Sequence, residues 1–516
     1  MKRKIIIFVG LTLSILVCIT VMLLNKSFVN NNYKVLFEKV GNQNEYYTED
    51  TIDLNNYMYE HDPKELGIPE DSLQYINIAL DTDSFLNDNN LIELDKNDAI
   101  SDVNFLFNLL KYSYAGYSYF GGDITFENAK ENIIKSINSH PAENINSSQL
   151  ENILDINTKF IQDGHFSINN NSPLNHYLYY SNESICVNKS KNGYYIIENG
   201  ERLYIKSIND SYDFNNYLKL SINSKGYPCY HIGILDNSNN PSKIKVIFQS
   251  QSKEVIKHID LKKGNPKVCS DDKLNYKYSK RNDVPIITMR KMYDTDVNDK
   301  STKLFAESAI SLKDEPVMIL DIRGNSGGQD IAPITWFENF TGEIPQIESY
   351  SLQLCSLINN YIARLAMKNI DYEILPAELK KEYDEEMQKA NVEFNTWYAS
   401  KTEEKRHKNN TIIFVLIDNK VASSGESFIN YLKTLENVIL VGTNTSGVYI
   451  SNVYTRSQLS SSHININFGN TIILNKYCEE GKGFQPDIWI DNEDSLDRVL
   501  KLINQFRINP FILGNI

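Results

Sequence analysis

Asp321-Ile-Arg-Gly-Asn-Ser-Gly-Gly328 is the stretch on which the reading of this chain turns. It follows Pro316-Val-Met-Ile-Leu320, an apolar run of the kind that forms a buried strand. It then breaks into glycines, the residues with no steric penalty at positive φ. A buried strand ending in a glycine turn aims backbone N–H groups into a cleft where an oxyanion can sit. A plain strand-to-helix turn is the alternative. Val421-Ala-Ser-Ser-Gly-Glu426, which also follows an apolar run, Ile412 to Ile417, decides between them.

Two further elements lie downstream, Gly442-Thr-Asn-Thr-Ser-Gly447 and Glu480-Gly-Lys-Gly-Phe-Gln-Pro-Asp487. Taken in order, the four resemble the motifs of the carboxyl-terminal processing (tail-specific) serine peptidases. Those are a D-[LI]-R-x-N-x-G-G turn, a small-residue turn holding the nucleophile, G-x-x-T-x-G, and E-G-x-G-x-x-P-D. The resemblance runs from Val284 to Asp491 and, more loosely, from Ile100 to Asn265. It implies an α/β fold with a ClpP/crotonase-like peptidase core, an N-terminal helical domain and a small β-rich module.

Size and composition agree with a multidomain globular protein. A chain of 516 residues, 41% of them hydrophobic, holds about two to four folding units. A net charge of −14 argues against general nucleic-acid binding. Met1-Lys-Arg-Lys4 precedes an uncharged, mostly apolar run from Ile5 to Leu24, enough at ~1.5 Å rise per residue to span a ~30 Å hydrocarbon core. The flanking charges predict a membrane anchor, residues 5–24, with the remaining chain outside; a cleaved signal segment is the rival. Of six cysteines, Cys18 lies in that run. The others, Cys186, Cys229, Cys269, Cys355 and Cys478, are odd in number and irregular in spacing, so they imply no disulfide framework. No CxxC or paired histidine motif predicts a structural zinc, and no metal or cofactor is expected.

The chain divides into an N-terminal segment 1–24, a polar lead-in 25–95, a helical domain 96–170, a β-rich module 171–270 and a peptidase core 280–516. In the helical domain Val103, Phe105, Leu106, Leu109 and Leu110 form an i, i+3, i+4 face. In the β-rich module, strand-like runs begin at Gly193, Arg202, Lys243 and Val255. The family often carries a PDZ-like module there; an unrelated β module fits the sequence equally. In the core, strands alternate with helices, as in a layered α/β unit. A charged stretch, 351–408, interrupts it and reads as a helical insertion or lid.

The chemistry is assigned to few residues. Ser423 is the candidate nucleophile, at a strand end where a helix begins and unsatisfied N–H groups gather. Ser424 is the fallback, and the same letters spell an S-x-x-E capping box that merely starts a helix. The oxyanion donors are one of Gly327 and Gly328, with Ser424. A serine hydroxyl needs a base. In the Ser–Lys branch of the resembled family a lysine follows G-x-x-T-x-G; here that position is Val448, which accepts no proton, and Lys482 is a distant substitute. The resemblance is therefore closer to the tricorn-core-like branch, in which a D-x-H histidine from the N-terminal domain serves. Asp163-Gly-His165 supplies it, and imidazole has a suitable pKa. The same branch implies a glutamate that orients the ring, at Glu480 or the adjacent Glu479. Asp321 and Arg323 read as a buried brace for the glycine turn.

These readings converge on a membrane-anchored extracytoplasmic serine endopeptidase acting on extended polypeptides. The alternative is a non-catalytic peptide-binding scaffold on the same fold. The oligomeric state is not legible.

Overall fold

The structure, a computed structural model, describes residues 33, 36–37, 40, 52–60, 65–78, 91–238, 243–250, 253–264, 274–296, 298–368, 380–381, 384, 396–491 and 494–508. The apolar run 5–24 lies outside them. Among the described residues no helix is long and apolar enough to cross a membrane.

The core is a six-stranded sheet in which spatial order follows chain order. Its strands are β1 (Tyr276–Arg281), β2 (Val284–Met289), β3 (Val317–Asp321), β4 (Ile412–Ile417), β5 (Val438–Gly442) and β6 (Ile488–Trp489). β1 is antiparallel to β2, and the other neighbours are parallel. Parallel strands are covered on both faces, which is why β2, β3 and β4 are buried without a break and mostly apolar. Their side chains still alternate. Met318, Leu320, Ile413 and Val415 pack with α1 (Ser301–Leu312), α2 (Ile331–Thr341) and α3 (Ser424–Lys433) around Phe305, Trp336 and Phe428. Ile319, Phe414 and Val441 face the opposite side and pack against Val499, Leu502 and Phe506 of α4 (Ser495–Ile508).

The helices Lys96–Ser113, Gly122–Asn138 and Ser147–Asn157 enclose a separate core in which Val103, Leu106, Leu109 and Leu110 are fully buried. Phe105 is only partly buried at its edge. Asp95 caps the first of these helices, accepting from Asn97 N at 2.7 Å and Asp98 N at 2.9 Å. This helical layer is stitched to the far end of the chain. The short strand Ser167–Ile168 pairs antiparallel with Asn465–Phe468, and the Asp102 carboxylate accepts from Ser461 N and Ser462 N. From Leu178 to Lys263 the named elements are all strands, and all eight belong to one eight-stranded sheet.

For the segment 351–408 the sequence predicts a helical insertion or lid. Its ends belong to strands, Ser349–Cys355 and Thr396–Thr402, which form a three-stranded sheet with Thr471–Leu474. The reason is legible in Tyr350, Leu352 and Leu354, which recur with period two and are buried, while Ser349, Ser351 and Gln353 between them are not. A helix, Leu357–Lys368, follows the first strand. Residues 369–379, 382–383 and 385–395 lie outside the described residues.

Candidate active site

The two turns singled out in the sequence stand side by side at the carboxyl ends of β3 and β4, where crevices form in parallel α/β sheets. They are tied together: Ala422 N donates to Asn325 O at 3.0 Å. Gly327 has φ +92°, and a Cβ there would lie 2.8 Å from both Ala422 O and Ser423 Cβ. Only glycine permits this approach of one turn to the other.

Behind the glycine turn Asp321 accepts from both Arg323 and Arg290, with Arg323 Nη2 at 2.7 Å and Arg290 Nη1 at 3.1 Å. The carboxylate is buried, as is Arg323. Burial alone would raise its pKa, but the two guanidinium groups outweigh it and hold the carboxyl below the usual range. The folded pKa is thus depressed, so the contribution to stability is present above the unfolded value near 4 and is lost as pH falls below it. Asp321→Ala is expected to cost about 3–5 kcal/mol by stranding two arginines. Chemical denaturation at neutral pH measures this; a loss under about 1 kcal/mol would show that the brace is not stabilising.

Ser423 ends the loop after β4 with φ 51° and ψ −123°, a conformation that costs a non-glycine residue about 1–3 kcal/mol. Its backbone N–H donates to Glu426 Oε2 at 3.2 Å. Glu426 is fully buried, and it also accepts from Thr445 Oγ1, from Gly447 N at 2.8 Å and from Val448 N at 2.8 Å. Burial pushes its carboxyl up to about 7 despite those donors. The sequence showed Glu426 only as the fourth letter of a capping box; in space it clasps the Ser423 loop and the Gly447-Val448 segment together.

Of the expected oxyanion donors, Gly327 N–H is already committed to Asn325 Oδ1 at 2.9 Å. Gly328 N–H and Ser424 N–H donate to no other group among the described residues. Ser424 Oγ donates to Gly328 O at 2.9 Å, which keeps the two residues together.

His165 reaches this corner from the helical layer. Its Nε2 lies 3.3 Å from Ser423 Oγ, across 258 residues of sequence. Its backbone is fixed on both sides. The Ser167–Ile168 pairing begins two residues later. Asp163, fully buried, accepts from His165 N at 2.8 Å, from Ser451 Oγ at 2.8 Å and from Tyr114 Oη at 2.8 Å. His165 Nδ1 has no partner in good hydrogen-bond geometry, although the Ser451 carbonyl faces it. Burial lowers the imidazole pKa against the Asp163 charge and that carbonyl.

Glu480 does not meet the ring, contrary to the expectation that it orients the imidazole directly. Its oxygens are occupied by three backbone donors: Gly164 N at 2.8 Å, Tyr449 N at 2.8 Å and Ile450 N at 2.7 Å. It therefore acts on the loop that carries His165. Burial and the nearby Asp163 charge raise its pKa. Glu479 pairs instead with Lys482 at 2.7 Å, which also keeps that lysine away from Ser423.

Val448 occupies the place of the absent lysine by packing on the histidine loop. A Cβ on Gly164 would lie 2.6 Å from Val448 Cγ1. Gly164→Ala is expected to displace His165 and lower kcat by about 10–10²-fold, since a shift of ~1 Å at a reacting group is that costly. Adding Val448→Ala should restore most of the loss in a protein-hydrolysis assay. Equal impairment in the single and double variants would show that crowding is not the cause.

His165, Gly328, Ser423 and Ser424 line one cleft of about 460 Å³. Its far wall is the three-stranded sheet, through Ser349, Ser351, Thr471 and Ile473. Among the described residues no cluster of His, Cys, Asp or Glu has the makings of a metal site.

Comparison with known proteins sets this geometry in context. Residues 283–490 match the sequence profile of Peptidase family S41. No curated protein sequence matches the chain. Similar solved structures include mature CPAF, at 14% identity and TM-score 0.43, covering 81% of this chain and 98% of that one. The photosystem II D1 C-terminal processing protease is similar at 10% identity and TM-score 0.35, with 79% and 97% covered. The tricorn protease is similar at 12% identity and TM-score 0.32, with 80% of this chain but 37% of that one covered.

Proposed function

We propose that this chain, whose residues 283–490 match Peptidase family S41, is a serine peptidase with Ser423 as its nucleophile and His165 as its general base. His165 Nε2 takes the Ser423 proton as Oγ attacks a peptide carbonyl. The developing oxyanion falls to the Gly328 and Ser424 N–H groups, which are preorganised and uncommitted. The imidazolium is stabilised by the Asp163 charge and the Ser451 carbonyl, and returns its proton to the departing amine. Water then enters, gives a proton to His165 and attacks the acyl carbon; His165 returns that proton to Ser423 Oγ as the carboxylic acid leaves. Glu480 is a positioning residue, holding Gly164 and thereby the loop of His165.

The observation that carries this reading is the 3.3 Å approach of His165 Nε2 to Ser423 Oγ beside two free N–H donors. The substrate is a polypeptide laid along the cleft. Its location outside the cytoplasm, with the enzyme held by residues 5–24, rests on the basic start and apolar run of the sequence. The test is to treat the intact protein with a serine-directed phosphonate and map the adduct by peptide mass. A single adduct on Ser423 is expected. A protein that binds peptides but takes no label would be the non-catalytic scaffold instead.

A further inference from the structure

Asp330 sits two residues beyond the oxyanion glycine and begins α2, yet it does not cap that helix. Its φ is −71° and ψ −13°, and its side chain accepts no helix N–H. Aspartate at a helix start ordinarily spends its carboxylate on the second or third N–H of the helix. Here Oδ2 accepts from Tyr431 Oη at 3.0 Å, and Oδ1 is buried with no hydrogen-bond partner. Leaving a carboxylate oxygen buried and unpaired costs free energy unless something arrives to use it.

The place of Asp330 says what would arrive. It lines the same cleft as Ser423 and His165 and is the one carboxylate among the residues that do so. Ser427 and Tyr431 stand one and two turns beyond Ser423 on α3 and line it too. Asp330, Ser427 and Tyr431 thus belong to the two helices whose starts carry the Gly328 and Ser424 N–H groups. No cation among the described residues pairs with Asp330. Ile347, Tyr449 and Ile473 add apolar wall.

We propose that Asp330 makes this cleft selective for a basic side chain, lysine or arginine, on the residue whose carbonyl Ser423 attacks. The inference rests on the reading of Ser423 as nucleophile. The aliphatic stem of the substrate lies on the apolar wall. Its ammonium or guanidinium donates to Asp330 Oδ1, and the hydroxyl oxygen of Ser427 is a further acceptor. An acidic side chain meets uncompensated repulsion there, and an apolar one leaves Oδ1 unpaired.

Two peptidyl phosphonates that differ only in carrying lysine or leucine at that residue separate the possibilities. In the intact wild-type protein the lysine reagent is expected to label Ser423 at least about ten-fold faster, and Asp330→Asn should reduce the ratio of the two rates by about 10²-fold, the scale for removing one partner of a buried charge pair. Equal rates in the wild type, or faster reaction with leucine, overturn the role of Asp330 while leaving Ser423 as nucleophile. Labelling by neither reagent overturns the nucleophile itself. The wild-type comparison decides even if Asp330→Asn does not fold. If it folds, an unchanged ratio in that variant also overturns the proposal.

Discussion

Ser423→Ala is expected to lower kcat by about 10⁴–10⁶-fold, the scale seen when an enzyme loses a serine nucleophile outright. The effect should be confined to chemistry. Among the described residues Ser423 Oγ approaches one side chain, His165 at 3.3 Å, and otherwise only closes the capping box with the Glu426 N–H, so its removal strands no strong partner. The positive φ at this position strains alanine as it strains serine, and Glu426 still holds the backbone N–H. Thermal unfolding should therefore be unchanged within about 1 kcal/mol, the range of a substitution that touches neither core packing nor a buried network. Ser424→Ala is the informative contrast. It loses the bond to Gly328 O that steadies the oxyanion donors but keeps the nucleophile, so it should retain partial activity. Full hydrolysis by Ser423→Ala would falsify the assignment.

His165→Ala is expected to fall nearly as far, about 10⁴–10⁶-fold in kcat, because members of one catalytic unit fail together. The double variant lacking both groups should be little worse than either alone. Independent losses that multiply would mean that the two side chains do not act as a unit. The wild-type pH profile supplies a second readout. Burial disfavours the imidazolium, so the folded pKa of His165 is lowered from the ordinary value near 6.5. A lowered pKa keeps the ring neutral, and able to accept a proton, to more acid pH. The rise of kcat/KM with pH should have its midpoint below 6.5, and this limb should vanish in His165→Ala. A midpoint above 7 would show that a different group controls the base.

The residues differ in how far they could be read before any coordinates. The strands β2, β3 and β4 are apolar runs bounded by turn residues, and their existence follows from burial on both faces. The glycine turn was legible because few residues other than glycine fit the φ of Gly327 and Gly328. The Asp163-Gly-His165 spacing already carried a local bond, since Asp163 Oδ1 accepts His165 N two residues on. At 351–408 the charged middle dominates the composition, and the strands at its ends went unread. The period-two alternation of Tyr350, Leu352 and Leu354 at its start was the better signal.

Other relations had no signal in the order of residues. Glu480 stood out by its motif and Glu426 by its capping box, but that both collect backbone N–H groups from distant segments is seen only in space. Asp330 is one aspartate among many until its unpaired oxygen is seen in the cleft that Ser423 also lines.

Chain order alone pointed to the core strands, to the turns that need glycine, and to a serine and a histidine suited to acyl transfer. These follow from steric limits on φ and ψ, from burial patterns and from intrinsic pKa, all of which act over a few residues. Tertiary structure decided which N–H groups remain free, that Glu480 grips the histidine loop and not the ring, and that a carboxylate waits in the cleft. These are distances between groups far apart in the chain, set by how the helical layer, the three-stranded sheet and the core pack against one another.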